Sequence, residues 1–394
     1  MKEKTRKRLF LWIRIGIAVA AIVYVVVMFD LRDAWNVLTN PYPNLFWVAM
    51  AMVAFLFFMG FIALRWYILS RARKHPYGFF YLYRSVLIHM LFNNVLPTTI
   101  GGDVYRVMDT GGHEGKGVAF SIVWTDRMVG FIAVFGFGFI ASIPYTIMSG
   151  IFIYLIIFAG MFIVAITLTL AFLSKRLNKW ISPWLSKIKI FKYPIGKKIA
   201  DAFMSITHYR RHKRALFTSL AVSFCVQLSI VCIWFFLFLS LPRITKGDLV
   251  AEEKKADMFF QTDCLSVAGG NSLVGQESDC IRDKIQIEDT LPDTTVVYSP
   301  NFVHFAVSMP VVNTTSMISV GGWGLREVTF VKVLSSFPLE VELCKDEVDQ
   351  LKDKLEESFL ATALLFDAVN VFFSLLGGLF MLLRTGPRKK RKKS

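Results

Sequence analysis

Cysteine is scarce in this chain, with five residues in 394. Their spacing fits no zinc site, and Cys225 and Cys232 fall in an apolar run where packed thiols are expected. The six histidines (His75, His89, His113, His208, His212 and His304) show neither metal spacing nor an evident nucleophile partner. The glycine-rich run Thr110-Gly111-Gly112-His113-Glu114-Gly115 does not follow a strand, so it is a poor nucleotide loop. No ATP motif and no catalytic constellation is present. These absences argue against metalloenzymes and nucleotide-driven machines, and no cofactor or metal is expected.

Acidic residues are also few, 29 against 45 Lys and Arg, which gives a net charge of +16. Such a balance can signal nucleic acid. Here the basic residues instead flank long apolar runs, as the positive-inside rule describes. The tail Arg388-Lys389-Lys390-Arg391-Lys392-Lys393 follows an apolar span and reads as an anchor on anionic lipid, not as a nuclear or nucleic-acid patch.

What the chain has in excess is apolar sequence: 55% hydrophobic residues and a mean hydropathy of +0.51. Several runs exceed about 18 residues, enough to cross hydrocarbon. The expected class is an all-α polytopic membrane protein. Six full spans are read at 9–29, 43–69, 117–143, 147–173, 215–241 and 359–383. The first follows a basic start and is read as an uncleaved span, since no small-residue cleavage region follows it. Two further apolar stretches, 79–112 and 299–338, are interrupted by glycine pairs and polar residues, each with an upstream proline (Pro97, Pro310). They read as re-entrant hairpins, whose non-helical tips are tolerated only inside protein or a wet cavity.

Charge tests that topology. Segments 1–14, 70–84, 174–214 and 384–394 carry 29 Lys and Arg against two acids, Glu3 and Asp201. Segments 30–43, 242–298 and 339–358 carry 10 Lys and Arg against 21 acids. The first set is placed in the cytoplasm, with both termini, and the second outside. Hairpin 79–112 then opens inward and 299–338 outward. Residues 1–145 and 146–394 become two halves of three crossings each, the second inverted, which is a transporter-like plan. The second half also carries a basic linker, 174–214, whose Trp180 and Trp184 suit an interface. It carries a polar outer insert, 242–298, in which Cys264 and Cys280 are bonded or free depending on compartment. Residues 339–358 are expected to form an acidic amphipathic helix at the outer surface.

A motif recurs at the same point of both halves. Gly101-Gly102-Asp103-Val104-Tyr105-Arg106 and Gly321-Gly322-Trp323-Gly324-Leu325-Arg326 both read Gly-Gly-x-x-x-Arg. Ionisable residues at membrane depth are costly and point to function or pairing. Asp103, Arg106, Asp126, Arg127, Arg326, Glu327 and Asp367 are such residues, with His89 and Lys332 nearer the ends of hairpin arms. Asp103 and Arg106 share a face if the second arm is helical. Glycines let other groups approach the tip, and Arg106 can fork onto a phosphate. Arg326 repeats this with Glu327 as partner. By charge alone, Arg127 pairs with Asp103, and Asp126 with Arg106 or Arg326. Asn93, Asn94, Asp367 and Asn370 are weaker head-group candidates, and Asp367 and Asn370 either line the same cavity or pair locally. Two readings stand for the set: a lipid phosphate held between hairpin tips, or a salt-bridge lattice that ties the hairpins to the bundle.

Asn93-Asn94-Val95-Leu96-Pro97, the first Gly-Gly motif, Asp126-Arg127 with Gly130, and Ser319 through Glu327 resemble the lysylphosphatidylglycerol synthase transmembrane (flippase) family. The resemblance covers most of the apolar chain and fails over 242–298. It implies translocation between leaflets of an anionic or aminoacylated phospholipid or a related polar lipid. Relatives linked to polyprenyl-linked sugars imply an alternative, an accessory protein that presents lipid-linked substrate to a glycosyltransferase. No soluble aminoacyl-transferase domain is read in these residues, so synthesis of lysyl lipid is not expected. A membrane-embedded transferase ranks last. The expected partners are a membrane lipid and a lipid-modifying enzyme or glycosyltransferase, with no nucleic acid, and the expected location is the cytoplasmic membrane.

Overall fold

The computed structural model describes residues 43–74, 76–95, 101–112, 115–174, 205–242, 300–318, 325–337 and 345–383. The expected span 9–29, most of the linker 174–214, the insert with Cys264 and Cys280, and the pair Gly321 and Gly322 lie outside these residues. Among the described residues every regular element is helical. In chain order they are α1 (Leu45–Ala72), α2 (Phe79–Val95), α3 (Gly101–Thr110), α4 (Lys116–Ser149), α5 (Ile153–Leu173), a 3-10 turn (Thr207–Arg211), α6 (Lys213–Ser240), α7 (Phe302–Ile318), α8 (Leu325–Ser335) and α9 (Lys345–Leu383).

Five of these helices, α1, α4, α5, α6 and the Leu351–Leu382 part of α9, are long and apolar enough to cross a membrane. Large apolar side chains such as Phe57, Ile156, Ile163 and Leu170 are exposed. So much exposed apolar surface suits a hydrocarbon solvent, not water. The protein is a multi-pass membrane protein.

The centre is the antiparallel pair α1 and α6, which pack along their whole length. Asn44 caps α1 by accepting from the Phe46 amide at 3.0 Å, satisfying one of the donors a helix start leaves open. The Asn44 amide donates to the Ser240 carbonyl at 2.7 Å, so the start of α1 meets the end of α6. At the other end the Tyr209 hydroxyl donates to the Leu69 carbonyl at 3.0 Å, and Arg73 donates to Ser205 at 2.7 Å. Burial pushes the Tyr209 phenol well above its ordinary range.

The other helices wrap this pair in a reciprocal way. α2 lies along α9, and α7 lies along α4. α2 also packs on α3 as α7 does on α8, while α5 rests mainly on α4. A Cβ at Gly377 would run into the Leu87 carbonyl and Ile88 amide of α2, so glycine is what lets α9 touch that backbone. Rings fill the middle. Trp234 of α6 lies 4.1 Å from Phe330 of α8 and 4.3 Å from Phe366 of α9, and Phe55 of α1 stacks on Phe373 at 4.5 Å.

Three boundaries differ from expectation: α5 begins at Ile153, six residues after the expected start at 147, and two helices run beyond theirs. Residues 345–358 are helical, as expected, and run without a break into the last span as the 39-residue α9. Residues 339–366 contain no Gly or Pro. Leu351, Leu355, Phe359 and Ala363, four apart, are all buried, so one apolar stripe continues through both parts. α4 also passes its own Pro144 and ends at Ser149, six residues beyond the expected end of the span.

Candidate functional site

Three devices fix α3 against α2. Asp109, near the end of α3, accepts from the Tyr81 hydroxyl at 3.1 Å and the Ser85 hydroxyl at 2.7 Å. Tyr105 stacks on Phe92 at 4.9 Å. At the start of α3 the Gly102 amide donates to the Asn93 side-chain carbonyl at 3.0 Å. A Cβ on Gly102 would meet the His89 ring, and would sit 2.5 Å from both Asn93 Oδ1 and the His89 carbonyl. Gly101 and Gly102 are buried in this contact. The first glycine pair is therefore a landing place for α3 on α2.

That landing aims Asp103 and Arg106 at α4. Arg127 Nε donates to Asp103 Oδ2 at 2.6 Å, the pairing charge suggested. Arg106 Nη1 donates to Asp126 Oδ2 at 3.0 Å, which settles the choice for Asp126 in favour of Arg106 over Arg326. Asp103 Oδ1 lies 3.8 Å from Arg106 Nη1, as a shared helical face requires. Asp126 has a second partner that the sequence reading missed. Arg65 of α1 binds it with both prongs, Nε to Oδ1 at 2.6 Å and Nη2 to Oδ2 at 3.1 Å, and reaches Ser223 of α6 at 3.1 Å. Arg65 stands six residues before the basic Arg71, so its charge blended into the positive flank of the span. Trp66, also missed, lies under Arg106 with the guanidinium carbon 4.0 Å from its ring.

This first cluster holds three guanidinium groups and two carboxylates. Arg106 is 2% exposed, yet its Nε and Nη2 have no hydrogen-bond partner among the described residues. Burying donors without partners is costly, and the cost falls on groups that hydrogen-bond strongly to anions.

The second cluster has the opposite balance. Arg326, at the start of α8, is held by Glu327 at 2.6 Å and by Asp367 of α9. Its guanidinium lies over Phe366 at 4.8 Å. One cation thus faces two carboxylates, and Glu327 Oε2 is buried without a partner among the described residues. The two clusters approach each other through amides. Asn370, one turn after Asp367, reaches Asn94 of α2 at 3.5 Å. Asn94 follows Asn93, whose amide meets His89 Nε2 at 3.1 Å. Asp367 therefore belongs to the second cluster, while Asn370 belongs to the bridge. Lys332 stands apart, pairing with Glu356 at 2.9 Å near the surface. Among the described residues no three His, Cys, Asp or Glu side chains converge as metal ligands.

A model of the lysylphosphatidylglycerol synthase transmembrane region matches residues 11–250. The chain belongs to this family. No curated protein and no solved structure matches it. The family match contains Arg65, Asn93, Asp103, Arg106, Asp126 and Arg127 of the first cluster. Arg326, Glu327 and Asp367 lie beyond it.

Proposed function

We propose that this member of the lysylphosphatidylglycerol synthase transmembrane family moves a polar lipid between the leaflets of the cytoplasmic membrane. Its head group passes between the two charge clusters while the acyl chains stay in hydrocarbon. It works as a translocator and not as an enzyme, and both its termini lie in the cytoplasm. In this reading six spans surround two re-entrant hairpins, one opening to each side, and the two halves form an inverted repeat.

Lengths, spacing and packing support that architecture. α3 has 10 residues and α8 has 11, so each reaches about 15–17 Å at helical rise, half of a hydrocarbon core of roughly 30 Å. Asn93, Gly101, Gly102 and Arg106 each recur 220 positions later as Asn313, Gly321, Gly322 and Arg326. Exchanging α1, α2, α3 and α4 for α6, α7, α8 and α9 turns the α2–α9 contact into the α7–α4 contact. A pseudo-two-fold axis in the membrane plane has that effect, and substrate sites of such repeats lie where the halves meet.

The observation that carries the function is Arg106, a buried guanidinium with open donors beside carboxylates already bound to other arginines. A lipid phosphate completes it. The open, buried Glu327 oxygen in an acid-rich cluster suits an ammonium group. A head group with both charges, as in an aminoacylated phosphatidylglycerol, matches the pair of clusters better than a purely anionic one.

The test is a leaflet assay in proteoliposomes that follows a head-group-labelled anionic lipid. Arg106→Gln and Arg326→Gln are each expected to slow translocation at least about tenfold, a loss of about 1.4 kcal/mol of stabilisation, with the folded yield retained. Unchanged rates in both variants overturn the reading.

A further inference from the structure

Resting on that reading, we infer that His89 is a proton-binding site linked to head-group occupancy, so that a proton travels with the anionic lipid. His89 is partly buried on α2, and its Nδ1, closed to solvent beside the Gly102 backbone, makes no well-formed hydrogen bond among the described residues. It faces Asp103 Oδ1, equally without a partner, at 3.8 Å. Two polar atoms held this way, too far apart to bond and closed to solvent, mark a place where charge is meant to change.

The other ring nitrogen supplies the linkage. Asn93 Oδ1 accepts from the Gly102 amide, which fixes the orientation of the Asn93 amide and turns its NH2 toward His89 Nε2 at 3.1 Å. Nε2 must then accept, so the neutral ring carries its hydrogen on Nδ1, toward Asp103. A proton added at Nε2 makes that atom a donor facing a donor. Rotation of the Asn93 amide relieves the clash by presenting Oδ1 to His89. The same rotation takes Oδ1 away from Gly102 and leaves its N–H open in the first turn of α3, one turn from the open donors of Arg106. An anion arriving there gains a donor, and the imidazolium gains Asp103 as counter-charge.

The charged groups facing the ring are Asp103 and Arg106 from α3 and Arg127 from α4. α9, also packed on α2, meets it through the uncharged Asn370 and the backbone at Gly377. α1 brings Arg65, which is bound to Asp126. Arginines oppose a proton on the ring while Arg106 is empty. A phosphate on Arg106 removes part of that opposition, so proton and anion each strengthen the other's binding, as linkage requires. The repeat does not duplicate the device. The position 220 residues after His89 is Met309, and Asn313 turns its amide to Gln227 at 3.3 Å instead. Among the described residues there is one such histidine, and one proton per lipid follows from it.

The experiment is calorimetric titration of the purified full chain with short-chain dihexanoyl phosphatidylglycerol, in buffers of different ionisation enthalpy at pH 5 and at pH 7. The protein is expected to take up protons as the anion binds, up to about one per anion and more at pH 5 than at pH 7, with affinity falling as pH rises between the ring's pKa in the free protein and its pKa in the complex. His89→Gln should bind the probe without proton uptake. Asn93→Ala, which frees Gly102 permanently, should bind with a flattened pH dependence and covers the case in which the histidine variant does not fold. Binding without proton uptake by the unaltered protein overturns this inference and leaves the translocator reading standing. Uptake that persists in His89→Gln overturns it too. Failure of the probe to bind the unaltered protein removes the head-group site, and the proton site with it.

Discussion

The two charge clusters are built to one plan and filled in opposite ways. In each, an arginine on a short helix reaches an aspartate on the long helix that follows, Arg106 to Asp126 and Arg326 to Asp367. In each, the guanidinium rests on an aromatic ring, Trp66 or Phe366. Among the described residues the first cluster adds Arg65, Arg127 and Asp103 and holds more guanidinium groups than carboxylates, whereas the second adds Glu327 and holds more carboxylates than guanidinium groups. A lattice that only tied hairpins to a bundle would gain most from neutral pairing in both places. Opposite imbalances, each with an open buried atom, suit a ligand that carries both charges.

The largest expected effect separates the two clusters by stability. Asp126 is the shared partner of two buried arginines, so Asp126→Asn leaves Arg65 without counter-charge and Arg106 with only the more distant Asp103, at 3.8 Å. Breaking a buried pair in this way costs about 3–5 kcal/mol. Asp367→Asn leaves Arg326 with Glu327, and the cost should fall to about 1–3 kcal/mol. Unfolding of each purified variant by SDS titration in mixed micelles compares them. Equal losses would mean that the clusters carry similar structural weight, and the contrast would fail.

Much of this frame was visible in the amino-acid sequence. Apolar length located α1 and α6 to within three residues and α4 and α5 to within six, because burial in hydrocarbon leaves little freedom of composition. The charged residues of both clusters other than Arg65 stood out for the same reason, since few ionisable groups occur at membrane depth. Pairing was less legible. Arg127 with Asp103 followed from charge, but Arg65 did not, because an arginine near a cytoplasmic end is ordinary until a carboxylate from another helix is seen beside it. Asn93 was noticed as a polar group near a glycine pair. Its role depends on three atoms converging from α2 and α3, and no spacing rule encodes that. The continuity of α9 was missed because charge separates residues 345–358 from the span, while the buried stripe through Leu351, Leu355 and Phe359 joins them.

The next effect down tests the landing of α3. Gly102→Ala places a methyl group 2.5 Å from the His89 carbonyl, which is backbone and cannot swing aside. Overpacking of this kind costs about 1–3 kcal/mol. It should also lengthen the Gly102–Asn93 hydrogen bond, so a loss of stability should be accompanied by a change in head-group binding. A stable variant with unaltered binding would show that α3 can sit farther from α2 than the hydrogen bond implies. Smaller again is Glu327→Gln, which keeps the shape of the second cluster and removes its open charge. Transport of an aminoacylated phosphatidylglycerol should fall about tenfold, near 1.4 kcal/mol, while phosphatidylglycerol itself is spared. Equal effects on both lipids would remove the ammonium role of Glu327.

The smallest effect belongs to a pair that looks similar on paper. Lys332 and Glu356 meet at 2.9 Å, as close as the members of the buried clusters, but the lysine side chain is 67% exposed. An exposed pair gains little, because solvent screens it and two long side chains lose freedom to form it, so its worth is about 0–1 kcal/mol. Lys332→Ala should therefore leave unfolding within about 1 kcal/mol of the unaltered protein. Transport should be unchanged, since neither residue touches Arg106 or Arg326. A clear transport defect in Lys332→Ala would extend the acidic cluster outward along α8 and α9, and Lys332 would then guard the approach to Glu327.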